Sequence, residues 1–253
     1  MSNPPKSAEH SLGVLITGGT SGIGLATAIH FAQQGHRVLV CGRDQARLKQ
    51  ANCLLKQAAK ESAEGSETSA ATAAAVACDL AQPLQCAELA ALAIQKLGQI
   101  DVLINNAATA PMQPFEEIGR DDFENVIAVN LRAAWILTQR IWSTMAARRS
   151  GVIINISSMA AIDPFTGFSL YGASKGWCET WTKALADEGV RQGIHVYSVR
   201  PGAVETPLLR RIMPDFPAEK CVAPEQVADK IFELATTENY PSGSIITVSK
   251  VPL

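Results

Sequence analysis

Short apolar runs alternate with longer amphipathic segments along the whole of this 253-residue chain. The runs fall at residues 12–17, 37–41, 73–77, 101–104, 151–156, 194–199 and 244–248, and each has the length of a buried strand. Helix-period segments, among them 23–34, 45–56 and 121–145, lie between them. This alternation predicts an α/β fold, a doubly wound parallel sheet with helices on both faces. Residues 1–11 read as a flexible polar tail and 12–253 as one domain, because the last strand pattern ends almost at the C-terminus. Residues 61–72, rich in Ser, Ala, Glu and Thr, show no helical period and read as a flexible insertion.

Composition narrows the function classes. Hydrophobic residues make up 47% and aromatics 6%, so the interior is expected to be aliphatic and the chain globular. Lys and Arg number 22 against 24 Asp and Glu, too even a balance for the broad basic face that nucleic acid or anionic lipid requires. No apolar run approaches the length of a membrane span, and the first residues lack the apolar core of a signal peptide. The six cysteines form no C-x-x-C pair and the four histidines lack metal-ligand spacing. A reduced, cytoplasmic protein without a metal site is the expectation.

Three segments carry chemistry. In Thr17-Gly18-Gly19-Thr20-Ser21-Gly22-Ile23-Gly24, glycines fall where a strand must turn into a helix and bring backbone N–H groups close to a pyrophosphate. Taken alone, such a turn can also be a tight bend without a ligand. In Tyr171-Gly172-Ala173-Ser174-Lys175, a phenol and an ammonium stand four residues apart on one helix face, where the cation favours the phenolate. Neither Tyr197 nor Tyr240 has such a lysine. Upstream, the strand at 151–156 runs into Ser157 and Ser158, of which strand alternation lets only one share a site with Tyr171. The other is expected to satisfy backbone groups locally.

Together with Asn105-Asn106-Ala107, Asn130 and Pro201-Gly202, these segments resemble the short-chain dehydrogenase/reductase family, from residue 12 to about 248. The resemblance implies a Rossmann-type fold and an oxidoreductase that moves a hydride between a nicotinamide dinucleotide and a small-molecule carbonyl or alcohol. It makes Tyr171 the acid/base and selects Ser158, thirteen residues earlier, as the group that orients the carbonyl oxygen. Lys175 then acts on the phenol and on ribose hydroxyls, and Asn130, an uncommon residue inside a helix pattern, perturbs the helix and holds a water that bonds the lysine. For the cofactor, the resemblance implies Thr17, Gly18, Thr20, Ser21, Gly22, Ile23 and Gly24 at the pyrophosphate, and Asp79 with Leu80 at the adenine. Asn106 and Ala107 follow beside the cofactor, with Pro201, Gly202, Val204 and Thr206 at the carboxamide.

The chain departs from the family at four places. Ala108 stands for a usual glycine and Tyr197 for a frequent asparagine. The C-terminus lacks the usual acidic residue and double glycine, which bears on whether the implied homo-oligomer is a homodimer or a homotetramer. Ser21 stands where NADP-preferring members carry a basic residue. At the end of the second strand, Gly42 occupies the place of the carboxylate that NAD-preferring members use, and Arg43 follows it. This favours NADP(H) over NAD(H), with Arg43 acting largely alone on a 2′-phosphate. Asp44 opposes that reading unless it caps the next helix.

The substrate is left open. Ile162, Phe165, Phe168, Leu208, Leu209, Ile212, Met213 and Phe216 imply an apolar wall suited to ketones, acyl thioesters or ring alcohols. Arg210 and Arg211 read as a solvated lid face, with contact to an acidic substrate or carrier as the alternative. A non-catalytic dinucleotide sensor or scaffold is the rival reading, and the poised Tyr171–Lys175 pair, which binding alone does not need, argues against it.

Overall fold

All seven apolar runs become strands in the computed structural model, which describes residues 11–63 and 72–250. They are β1 (Gly13–Ile16), β2 (Arg37–Gly42), β3 (Ala73–Ala77), β4 (Val102–Asn105), β5 (Gly151–Ile156), β6 (Ile194–Pro201) and β7 (Ile245–Val248). They form one parallel sheet in the order β3-β2-β1-β4-β5-β6-β7. The α-helices among the described residues are α1 (Gly22–Gln33), α2 (Gln45–Ala63), α3 (Pro83–Leu97), α4 (Arg120–Val126), α5 (Ala133–Arg148), α6 (Ser169–Gly189), α7 (Pro207–Ile212) and α8 (Pro224–Thr236).

Strand alternation builds two cores. Val14, Ile16, Val38 and Val40 point to one face, where Phe31 of α1, Leu55 of α2 and Ile231 of α8 pack on them. Leu15, Leu39 and Leu103 point to the other, against Leu89 of α3 and Leu137 and Ile141 of α5. With both faces covered, the strands can be continuously apolar. Chain order reverses between β1 and β4, so the loops that follow these two strands diverge and leave a crevice at their carboxyl ends.

Two expectations change. Residues 61–63 are helical, not loop: α2 continues through them because Gln57 donates to Glu61 Oε1 at 3.1 Å and Gln33 of α1 donates to Glu61 Oε2 at 3.4 Å. The remainder of the expected insertion, 64–71, and residues 1–10 of the expected tail lie outside the described residues. The helix expected over 121–145 is not continuous either. A π-helical segment, Ile127–Arg132, separates α4 from α5.

Candidate active site

The glycine-rich turn is held by its neighbours before any ligand is considered. Gly18 and Gly22 have φ of +65° and +54°, a left-handed conformation that side chains disfavour. A Cβ on Gly18 would stand 2.9 Å from Ala107 Cα, and one on Gly22 would stand 2.9 Å from Thr206 Cγ2. The turn therefore presses against the loop after β4 on one side and the loop before α7 on the other. Thr17 Oγ1 accepts from the backbone N–H of Asn106 and of Ala107, both at 3.0 Å. In return, Asn106 Nδ2 donates to the carbonyls of Thr17 at 2.8 Å and Gly18 at 3.2 Å. Ser21, the N-cap of α1, makes no side-chain cap bond, and the first turn carries no acid, so the positive end of this helix faces the crevice.

On the far side of the crevice, α6 lies against the end of β5. Lys175, 5% exposed, donates from Nζ to the Ile156 carbonyl at 2.7 Å and stands 5.7 Å from the centroid of the Tyr171 ring. Phe168 packs against the Tyr171 ring, with centroids 5.3 Å apart. Ser158 is half-buried and lines the crevice together with Tyr171; Ser157, 3% exposed, also borders the crevice, but its hydroxyl turns to α6. The expected division of labour between the serines is corrected. Ser157 Oγ donates to Glu179 Oε1 at 2.8 Å, a long-range bond, while Ser158 Oγ makes the local one, accepting from Ala160 N–H at 3.2 Å.

Asn130 sits in the π-helical segment, where the widened turn directs it between two elements. Its Oδ1 accepts from Thr109 N–H at 2.8 Å, and its Nδ2 donates to the Thr109 carbonyl and to Ser174 Oγ, both at 3.0 Å. Its direct partners are thus the β4 loop and the residue beside Lys175. Asn130 and Lys175 also line a common cavity of about 10 Å³, roughly the size that holds one water.

A cleft of about 1080 Å³ runs across the carboxyl edge of the sheet. Of the expected cofactor residues, Gly18, Thr20, Ser21, Gly22, Ile23, Arg43, Asp79, Leu80, Asn106, Ala107, Tyr171, Lys175, Pro201, Gly202, Val204 and Thr206 line it. Thr17 and Gly24 lie behind its wall. Thr17 spends its hydroxyl on the β4 loop, and a Cβ on Gly24 would come within 2.5 Å of Asn106 Nδ2, so both shape the turn rather than face the crevice. The glycine cradle, the uncapped helix end and the volume of the cleft fit a dinucleotide.

Arg47, not singled out from the sequence, lines the cleft with Arg43. Their four-residue spacing across the start of α2 was the available signal. Asp44 Oδ1 accepts from Arg47 N–H at 2.8 Å, which is a helix cap. Arg210 stays about a third exposed, in a solvated ion pair with both carboxylate oxygens of Glu205, and it also donates to the carbonyls of Pro214 and Phe216. Arg211 and Lys220 are exposed and line the cleft beside the apolar residues of α7. Tyr197 is buried, its hydroxyl donating to the Tyr240 carbonyl at 3.1 Å.

The sequence model described as short chain dehydrogenase matches residues 13–216. The chain belongs to this family. A curated relative, a 3-oxoacyl-(acyl-carrier-protein) reductase of Thermotoga maritima, is 32% identical over 247 residues, covering 92% of this dehydrogenase and 94% of the relative. Among solved structures, a 3-ketoacyl-(acyl-carrier-protein) reductase from Brucella melitensis complexed with NADH aligns at TM-score 0.81 and 28% identity. The alignment covers 96% of this chain and 98% of that one. An actinorhodin polyketide ketoreductase with NADPH aligns at TM-score 0.83 and 28% identity over 94% and 96% of the two chains. As a short-chain dehydrogenase the protein is an oxidoreductase, similar to ketoacyl reductases, built on the Rossmann-type sheet. No helix among the described residues is long and apolar enough to cross a membrane.

Proposed function

We propose that the protein catalyses reversible hydride transfer between NADP(H) and a carbonyl or alcohol, and that its carbonyl substrates are 3-oxoacyl thioesters. One observation carries this reading: Ser158, Tyr171 and Lys175 line the same cleft as the glycine turn. The nicotinamide supplies or accepts the hydride. In reduction, Tyr171 donates a proton to the carbonyl oxygen, Ser158 orients that oxygen, and Lys175 sets a positive charge beside the phenol. The relatives' printed activities and the surroundings of the reacting groups support the substrate class. Phe165, Phe168, Leu208, Ile212 and Met213 form an apolar wall for an acyl chain, and Arg211 and Lys220 offer cations to an anionic thioester carrier.

The preference for NADP(H) rests on the end of β2. Gly42 offers no carboxylate to a ribose, and Asp44, which lines that end of the cleft with Arg43 and Arg47, has Oδ1 engaged as a helix cap. One charged hydrogen bond to phosphate is worth roughly 1.5–3 kcal/mol, so kcat/KM with NADPH is expected to exceed that with NADH by about ten- to a hundredfold. Arg43→Ala should erase most of that ratio, with Arg47 accounting for the remainder. Oxidation of NADPH and of NADH with acetoacetyl-CoA, alongside ketone, sugar and quinone-like carbonyls, tests both parts. A ratio favouring NADH overturns the cofactor assignment. Turnover of other carbonyls but not the thioester overturns the substrate class, and dinucleotide binding without any turnover points to a sensor.

A further inference from the structure

Glu179 and Arg200 form a nearly buried ion pair directly behind the reacting groups, with side chains 9% and 14% exposed. The contact is bidentate: Arg200 Nε donates to Glu179 Oε1 and Nη2 to Oε2, both at 2.7 Å. These bonds push the guanidinium pKa up. Burying such a pair costs so much desolvation that well-packed apolar residues in its place are often equally stable or more so, so stability is a weak reason for its presence. Its connections supply a better one. Glu179 stands four residues after Lys175 on α6, and the two grip the last residue of β5 and the one that follows it: Lys175 holds the Ile156 carbonyl, Glu179 the Ser157 hydroxyl. Ser158 follows at once.

The same pair closes a ring between β5, α6 and β6. Ser157 N–H donates to the Val199 carbonyl at 2.7 Å, and the next residue, Arg200, returns to Glu179. Beyond Arg200 the chain enters Pro201-Gly202, where Gly202 N–H donates to the Val248 carbonyl at 2.9 Å. Three pieces of the cleft wall therefore meet at one carboxylate: the strand end bearing Ser158, the helix bearing Tyr171 and Lys175, and the loop that begins at Pro201.

We propose that Glu179 is a positioning residue, which through Ser157 and Arg200 fixes the distance between Ser158 and the Pro201-Gly202 loop and so sets the alignment of the carbonyl with the hydride path. This rests on the assignment of Ser158, Tyr171 and Lys175 given above. Misalignment by a fraction of an ångström lowers the rate of the chemical step while leaving affinity to the glycine turn and Arg43. The effect therefore belongs in kcat and not in dinucleotide binding.

The test compares Glu179→Gln, Ser157→Ala and the double variant Glu179→Leu/Arg200→Met, using NADPH and the best carbonyl of the panel. All three are expected to lose about tenfold or more in kcat at saturating substrates, with the NADPH Kd within about threefold of the parent. The apolar double variant is expected to match the parent in Tm and still be slow, which a merely structural pair would not produce. Parent-like kcat in that variant or in Ser157→Ala overturns the proposal, as does a loss that appears only in Kd. If the double variant does not fold, Glu179→Gln and Ser157→Ala decide on the same readouts. Tyr171→Phe in the same assay separates the two levels. If it is inactive while the three variants run at parental rate, only the positioning role falls; if it is fully active, or the parent turns over no carbonyl, the assignment falls and takes this role with it.

Discussion

Tyr171→Phe is expected to lower turnover by about 10²–10⁴-fold, the range that a positioned acid or base contributes, while the NADPH Kd stays within a few fold. The substitution removes one oxygen and keeps the ring, so the packing on Phe168 and the position of Lys175 over the ring are retained. On the proposed reading the pyrophosphate is held by the turn at Gly18 and Gly22, which the substitution does not touch. Steady-state kinetics with NADPH, together with a fluorescence titration of the dinucleotide, provides both readouts. Retention of most activity would remove Tyr171 from the mechanism and with it the reading of Lys175.

Ser158→Ala should cost roughly 10²–10³-fold in kcat, the range seen when a donor to a developing oxyanion is removed. Ser157→Ala should cost less, about tenfold, because its hydroxyl donates to Glu179 and acts on the site only through position. The ratio between the two variants is the informative number, since each deletes the same atom from adjacent residues. Equal losses would leave the choice between the serines open, and a reversed order would transfer the role to Ser157. In Ser158→Ala the N–H of Ala160 also loses its acceptor, so a Tm measurement is needed to confirm that the short turn after β5 survives.

The strands were legible because each is a short apolar run bounded by polar or glycine positions, and β5 and β3 match their predicted bounds. Tyr171 and Lys175 were legible because a four-residue spacing on a helix is a local relation that sequence displays. Glu179 and Arg200 were not, since they lie 21 residues apart on different elements and each alone reads as an ordinary surface charge. Arg210 and Arg211 differ in another way: the partners of Arg210, namely Glu205, Pro214 and Phe216, all lie within six residues of it, whereas Arg211 reaches the cleft only through the path of the folded chain. The extent of α2 was missed because a helix that ends in small and polar residues loses its period before it loses its hydrogen bonds, and Gln33, on another helix, helps to hold Glu61. Asn130 stood out as an unusual helix residue, but nothing in its neighbours gives the extra residue per turn at Ile127–Arg132.

That widened turn sets a limit on engineering the protein. Relative to a regular helix, a π turn is the mark of one inserted residue. A designer seeking higher Tm would be drawn to excise a residue from 127–132 and fuse α4 and α5 into one straight rod with unbroken hydrogen bonding. At 3.6 residues per turn, the excision would rotate one half by about 100° against the other. With α5 anchored in the core by Leu137 and Ile141, the rotation would fall on α4 and the Asn130 side, and the bridge from Thr109 to Ser174 would be lost. Such a variant should react more slowly without melting later, because the rotation also turns the fully buried Val126 out of its packing and strips Thr109 and Ser174 of their partner.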